Sequence, residues 1–155
     1  MAIEIERKFL VDYNKWQAAD KPVGSKLKQG YIVDDENRTV RLRIAGTAAH
    51  LTFKTGTTGI TRNEYEYEIP ADDAAELFTQ FVKTSLEKTR YCLTHDNKLW
   101  EVDVFEGDNE GLIVAEIELD SEDEPFMLPP WVGQEVSGDT RYYNSSLSVK
   151  PFKSW

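Results

Sequence analysis

The chain is poor in the groups that most often announce a function. It holds one cysteine, Cys92, and two histidines, His50 and His95, among 155 residues. One thiol makes an internal disulfide impossible and fits a reducing compartment. Both histidines sit in predicted turns, and with a lone thiol they make no zinc cluster. No apolar run approaches the length of a membrane span, and no apolar signal-peptide core precedes the charged stretch that starts at Glu4. There is no linker, repeat or low-complexity tract. Positive charge is in deficit as well: 18 Lys and Arg against 28 Asp and Glu leave a net charge of −10. That balance argues against binding nucleic acid or an anionic membrane through the outer surface, and it says nothing about an anion bound inside. The expectation is one cytoplasmic domain over residues 1–155, monomeric or homodimeric, with enough chain for a real core.

What the chain does have is alternation. Strand-like stretches cover about 2–10, 26–33, 38–45, 51–55, 61–69, 87–94, 98–106 and 112–119, separated by turn chemistry. Helices are predicted over about 12–19, capped by Asp12, over 71–84, and over 144–150 after Asn144. From Ser121 to Pro130 the chain reads as an acidic, proline-broken tail. The fold class is therefore mainly β (α+β). Eight strands linked mostly as hairpins point to a closed antiparallel barrel, which leaves no open edge.

Successive side chains of a strand face opposite ways, so each strand can be split into two faces. Glu4, Glu6 and Lys8 share one face of the first strand, opposite Ile3, Ile5 and Phe9. Arg41 and Arg43 share a face in the third strand, and Lys54 is set against Leu51 and Phe53 in the fourth. The fifth strand groups Arg62, Glu64, Glu66 and Glu68, and the sixth groups Lys88 and Arg90. Glu101 goes with Asp103, and Glu116 with Glu118. A one-sided sheet with its charged face in water explains any single strand. It does not explain why the signs sort by strand, because like charges two residues apart repel. A barrel with the charged faces turned inward and the apolar faces covered by the helices accounts for the sorting.

Such a lumen holds six cations: Lys8, Arg41, Arg43, Lys54, Lys88 and Arg90. One phosphate cannot use so many, whereas a triphosphate carrying about four to five negative charges can. The carboxylates suit Mg²⁺ or Mn²⁺, hard cations that take oxygen ligands.

Glu4-Ile-Glu-Arg-Lys8 resembles the ExExK signature of the CYTH domain, the family of triphosphate tunnel metalloenzymes. The resemblance continues through Gln29-Gly-Tyr31, Val40-Arg-Leu-Arg43, Thr52-Phe-Lys54, the 62–69 strand, Lys88-Thr-Arg90, Glu101-Val-Asp103, Glu116-Ile-Glu118 and the 135–147 segment. It implies an eight-stranded tunnel that binds a triphosphate and a divalent metal. Family activities include inorganic and thiamine triphosphatases, class IV adenylate cyclases and RNA triphosphatases. The short form without an appended domain implies hydrolysis of inorganic tripolyphosphate, with a nucleotide-directed enzyme or a non-catalytic polyphosphate-binding module as the alternatives. On this resemblance Glu4, Glu6 and Glu118 hold the principal metal, and Glu116 and Asp103 assist or hold a second ion. Lys8, Arg41, Arg43, Lys54 and Arg90 grip phosphate. A lumen carboxylate, or Tyr31 acting with Lys88 if crowded positive charge lowers their pKa values, activates water. Glu64, Glu66, Glu68 and Glu101 stand behind the cations or join the metal. Arg62 lies at the mouth or in solvent. Asp139, Arg141, Tyr142 and Asn144 cap and dock the last helix, and Cys92 is a small buried residue.

Overall fold

Nine strands carry the alternation into three dimensions. The computed structural model describes residues 2–155. The strands are β1 (Ile3–Val11), β2 (Ser25–Asp35), β3 (Arg38–Ala45), β4 (Ala48–Thr55), β5 (Thr61–Ile69), β6 (Thr84–His95), β7 (Lys98–Phe105), β8 (Ile113–Glu118) and β9 (Val132–Glu135). The helices are α1 (Tyr13–Ala18), α2 (Ala71–Phe81) and α3 (Asn144–Val149). β2 to β5 form one antiparallel meander and β6 to β8 a second. β2 pairs with β6 to join them.

β1 closes the ring. Along one edge it pairs with β8, bringing Glu6 opposite Glu118 and Lys8 opposite Glu116. Along its other edge it pairs first with β5, Glu4 opposite Arg62, and then with β9 from Phe9 to Val11. The eight-stranded antiparallel barrel is thus closed, and β9 is an addition to it. Sequence reading misses β9 because it is four residues long and sits directly behind the prolines of the 121–130 tail. β4 also begins earlier than expected, after a tight turn at Gly46, so His50 belongs to a strand and faces Arg43 across the ladder. The β6–β7 hairpin turns on Asp96 and Asn97, both with positive φ, which short polar residues tolerate best.

α1 starts as expected, with the Asp12 carboxylate accepting the Lys15 N–H at 2.9 Å. Its Trp16 packs edge-on against Trp131 and Tyr91. With Phe9, Trp100, Val102, Ala115 and Ile117 they fill the outer face of β1, β7 and β8. α2 carries the chain from β5 back to β6 and covers Leu42, Ile44 and Leu51 on the outer face of β3 and β4. It stops at Phe81 rather than 84, because Lys83 donates its N–H to the Tyr31 carbonyl and starts β6. Where α2 hands over to β6, Gly30 faces Val82 so closely that an added Cβ would lie 2.4 Å from a methyl.

α3 departs from its predicted role as an outer cover. Leu147 and Tyr142 pack on Leu10, Leu86, Phe105 and Val114. These four lie two residues from Lys8, Lys88, Asp103 and Glu116, so by strand alternation they face the lumen. α3 is a plug, closing the barrel end at which β1 and β7 finish and β6 and β8 begin. Leu147→Ala would leave a void in this plug, costing about 2–5 kcal/mol. A chemical-denaturation curve should show a lower midpoint with an unchanged slope. Cys92, expected to be buried, is exposed, because it lies towards the open end of β6 opposite Glu101.

Candidate active site

The lumen-facing side chains converge on one cavity. It is lined by all six expected cations, Lys8, Arg41, Arg43, Lys54, Lys88 and Arg90, with Glu4, Glu6, Glu116 and Tyr31. Arg62 joins them in lining the cavity, and seven cations meet three carboxylates there among the described residues. A positive interior within a chain of net charge −10 is the signature of an anion receptor. Arg41 Nε is buried without a hydrogen-bond partner, a donor that wants an acceptor.

The remaining acids stand behind the cations. Asp103, fully buried, takes Lys88 Nζ at 2.7 Å on one oxygen and Arg90 Nε at 2.7 Å on the other. Glu101 holds the Arg90 guanidinium at 2.8 Å. Glu64 holds Lys54 at 3.0 Å, and Glu66 contacts Arg41 at 3.4 Å. Glu68, exposed further along β5, does not line the cavity. Glu118 is exposed where β8 ends, outside the cavity lining.

The carboxylates are pushed in different directions by their surroundings. Glu6 is raised well above the ordinary range, first by burial and then by the charges of Glu116 and Glu4. Neutralising Glu6 would relieve its repulsion with Glu116 and Glu4. Burial also raises Glu118, with Glu4, Glu64 and Glu101 adding to it. Glu4 goes the other way, to about 2: burial raises it, but Lys54, a hydrogen bond with Glu64, and Arg62 outweigh that. Arg62 Nε lies 2.9 Å from Glu4, and Lys54 Nζ 3.5 Å. Among the described residues no three Asp, Glu, His or Cys side chains stand together as a metal cluster; Glu4, Glu6 and Glu118 share only the oxygen chemistry that a hard divalent ion takes. Both oxygens of Asp103 are engaged by Lys88 and Arg90, which sets it apart from Glu6 and Glu118.

Lys88 is lowered to about 7, chiefly by burial and further by Arg90 and Arg43, with Asp103 offsetting part of it. Tyr31 was expected to be lowered by the same crowd of cations. Burial wins instead and raises it, although Arg41 and Arg43 pull the other way. The two members of the expected pair therefore diverge, one towards an amine that can take a proton at neutral pH and one towards a phenol that keeps its own.

Asn144 was read as a helix-docking residue. It does dock α3, but against the site: its Oδ1 accepts from Lys88 Nζ at 2.7 Å and from Gln29 Nε2 at 3.2 Å. Asp139 caps the single turn at Thr140–Tyr142 through the Arg141 N–H. Gln29, within the Gln29-Gly-Tyr31 motif, also reaches the site. Its position two residues before Tyr31, on the same face of β2, was the available signal.

A family model described as the CYTH domain matches residues 2–148. This chain belongs to the CYTH domain family. An inorganic triphosphatase of Acetivibrio thermocellus is 44% identical over 156 residues, spanning 100% of this chain and 99% of its own. An inorganic triphosphatase of Nitrosomonas europaea is 38% identical over 154 residues, covering 94% of this chain and 97% of its own. The crystal structure of an inorganic triphosphatase superposes at a TM-score of 0.66, with 37% identity over 94% of this chain and 97% of that one. A putative adenylate cyclase of Bacillus halodurans superposes at 0.62 with 15% identity over 79% and 84%, a likeness of fold alone. The shared frame does not fix the chemistry, which lies in the side chains inside it.

Proposed function

We propose that this chain hydrolyses inorganic triphosphate to diphosphate and phosphate, with Mg²⁺ or Mn²⁺ as the metal. The observation that carries this reading is the lining of the plugged cavity, seven cations with three carboxylates. The names of the two full-length relatives support the same substrate.

Phosphoryl transfer needs positioning and charge neutralisation more than covalent help from the protein. Arg41, Arg43, Lys54, Lys8, Arg90 and Arg62 bind the phosphate oxygens. Glu4, Glu6, Glu116 and Glu118 would hold the divalent ion, which would supply charge neutralisation to the phosphates. Asp103, Glu101, Glu64 and Glu66 keep the cations aimed inward. Water attacks a terminal phosphorus, its proton passes to Lys88 Nζ, and the bridging P–O bond breaks with its electrons kept by the departing diphosphate. Asp103 and Asn144 hold Lys88 so that its amine faces the cavity.

The test compares phosphate release from tripolyphosphate and from ATP, each with Mg²⁺ and with Mn²⁺. The expected result is turnover of tripolyphosphate well above that of ATP. Cyclic AMP formed from ATP would replace this reading with a cyclase. Tight tripolyphosphate binding without any phosphate release would make the chain a binding module.

A further inference from the structure

Gln29 is fully buried and does not line the cavity, yet its amide touches the site from three sides. Its Oε1 accepts from Arg43 Nε at 3.1 Å. Its Nε2 donates to the Tyr31 hydroxyl at 2.8 Å and to Asn144 Oδ1 at 3.2 Å. Arg43 fixes which way round the amide sits, because a guanidinium has donors only and must meet the oxygen. Burial, Arg41 and Arg90 lower Arg43 to about 10, so it is still charged at neutral pH.

The polarity of the whole chain follows. The Gln29 nitrogen can only donate, so the Tyr31 oxygen accepts from it, and the single Tyr31 proton must point elsewhere. Tyr31 lines the cavity, which is where that proton can be used. Asn144 is set in the same way: its oxygen faces two donors, Gln29 and Lys88. Its amide nitrogen is therefore turned away from them, and Asn144 also lines the cavity.

We propose that Gln29 is a positioning residue that sets the direction of this hydrogen-bond chain, so that Tyr31 and Asn144 both meet the phosphate oxygens as donors. The inference rests on the triphosphatase reading above. It assigns Tyr31 to binding of charge that develops on phosphate rather than to removal of a proton from water. It also makes the plug helix, through Asn144, part of the substrate site.

The experiment is a double-mutant cycle on tripolyphosphate hydrolysis. Gln29→Glu keeps size and the Arg43 contact but replaces the donor with an acceptor, so Tyr31 must turn its proton towards residue 29. Loss of one such donor lowers kcat by roughly 10²-fold, with a smaller change in KM. Tyr31→Phe is expected to cost about as much. The Gln29→Glu/Tyr31→Phe pair is expected to cost no more than Tyr31→Phe alone, because Lys88 still holds the Asn144 oxygen at 2.7 Å and the donor that both changes remove is that of Tyr31. Gln29→Met, of similar length and without the amide, should show the same absence of additivity. Additive losses would overturn the proposal, as would wild-type kcat in either Gln29 variant. If neither variant folds, Gln29 serves the fold and the proposal is overturned. A wild-type protein that releases no phosphate from tripolyphosphate would instead overturn the triphosphatase reading on which this one stands.

Discussion

Glu6→Gln is expected to lower phosphate release from tripolyphosphate by about 10²- to 10³-fold, the scale of losing one preorganised charge-stabilising group. The same change is expected to leave the metal-free fold almost untouched. Glu6 holds a proton far above the usual carboxylate range, because burial and the neighbouring Glu116 and Glu4 disfavour its charge. A glutamine copies that neutral state. The two readouts therefore separate: turnover and metal affinity fall, and the Tm in EDTA stays. The sign of the pH dependence follows. A carboxyl whose folded pKa is raised contributes stability in full below its unfolded value of about 4.3, and loses it as pH rises through the folded value. The metal-free wild type should thus weaken as pH climbs above that range, and Glu6→Gln should lack that slope. Added Mg²⁺ or Mn²⁺ should raise the wild-type Tm at neutral pH and do much less for the variant. Turnover within a few-fold of wild type in Glu6→Gln would remove Glu6 from the metal group.

Asp103→Ala is expected to give the largest loss of stability of any single change in the lumen, about 3–5 kcal/mol. Asp103 is fully buried and grips two cations at once, Lys88 and Arg90. Its removal leaves two buried charges with one carboxylate, Glu101, and an amide between them. At roughly 2–4 °C per kcal/mol for a chain of this size, the Tm should fall by about 6–20 °C. Asp103→Asn keeps an acceptor of the same shape and should cost less. Asp103 is held at about 2, where Lys88 and Arg90 outweigh the effect of burial. Its stabilisation is present above the unfolded value of about 3.9 and is lost as pH falls through about 2. Thermal melts from pH 6 down to pH 2 should therefore show a steeper decline in wild type than in Asp103→Asn. A Tm for Asp103→Ala within a few degrees of wild type would contradict the clamp.

Most of the barrel was legible because strand alternation is a local property. Glu4, Glu6 and Lys8 share a face whatever β1 pairs with, and the sorting of charge by strand already demanded an inside. The site cations were legible for the same reason. What escaped depended on contacts distant in the chain. α3 presents too short a pattern to say which surface it covers, and only the lumen-facing Leu10, Leu86, Phe105 and Val114 reveal it as a plug. β9 has too few residues to show a period. Glu101 and Asp103 looked like metal candidates in sequence because a carboxylate's partner is invisible until Arg90 is seen between them. Lys88 and Tyr31 shift in opposite directions from one cause, because burial disfavours the charged form, an ammonium in one and a phenolate in the other, and alternation carries no measure of depth.

The double use of β1 also sets an order of events during synthesis. The strand that carries Glu4, Glu6 and Lys8 is made before five of its cross-strand partners, from Val114 to Glu118, which follow more than a hundred residues later. Val132 and Glu135 of β9, which pair with the end of the same strand, come later still. Such distant pairing slows folding and leaves an early strand waiting with its edges bare. The alternating charges of Glu4, Glu6 and Lys8 oppose, in that interval, pairing of this strand with another chain. A nascent chain stalled before residue 113 should therefore show native-like protection in β2 to β5 and none in β1 beyond its short contact with β5.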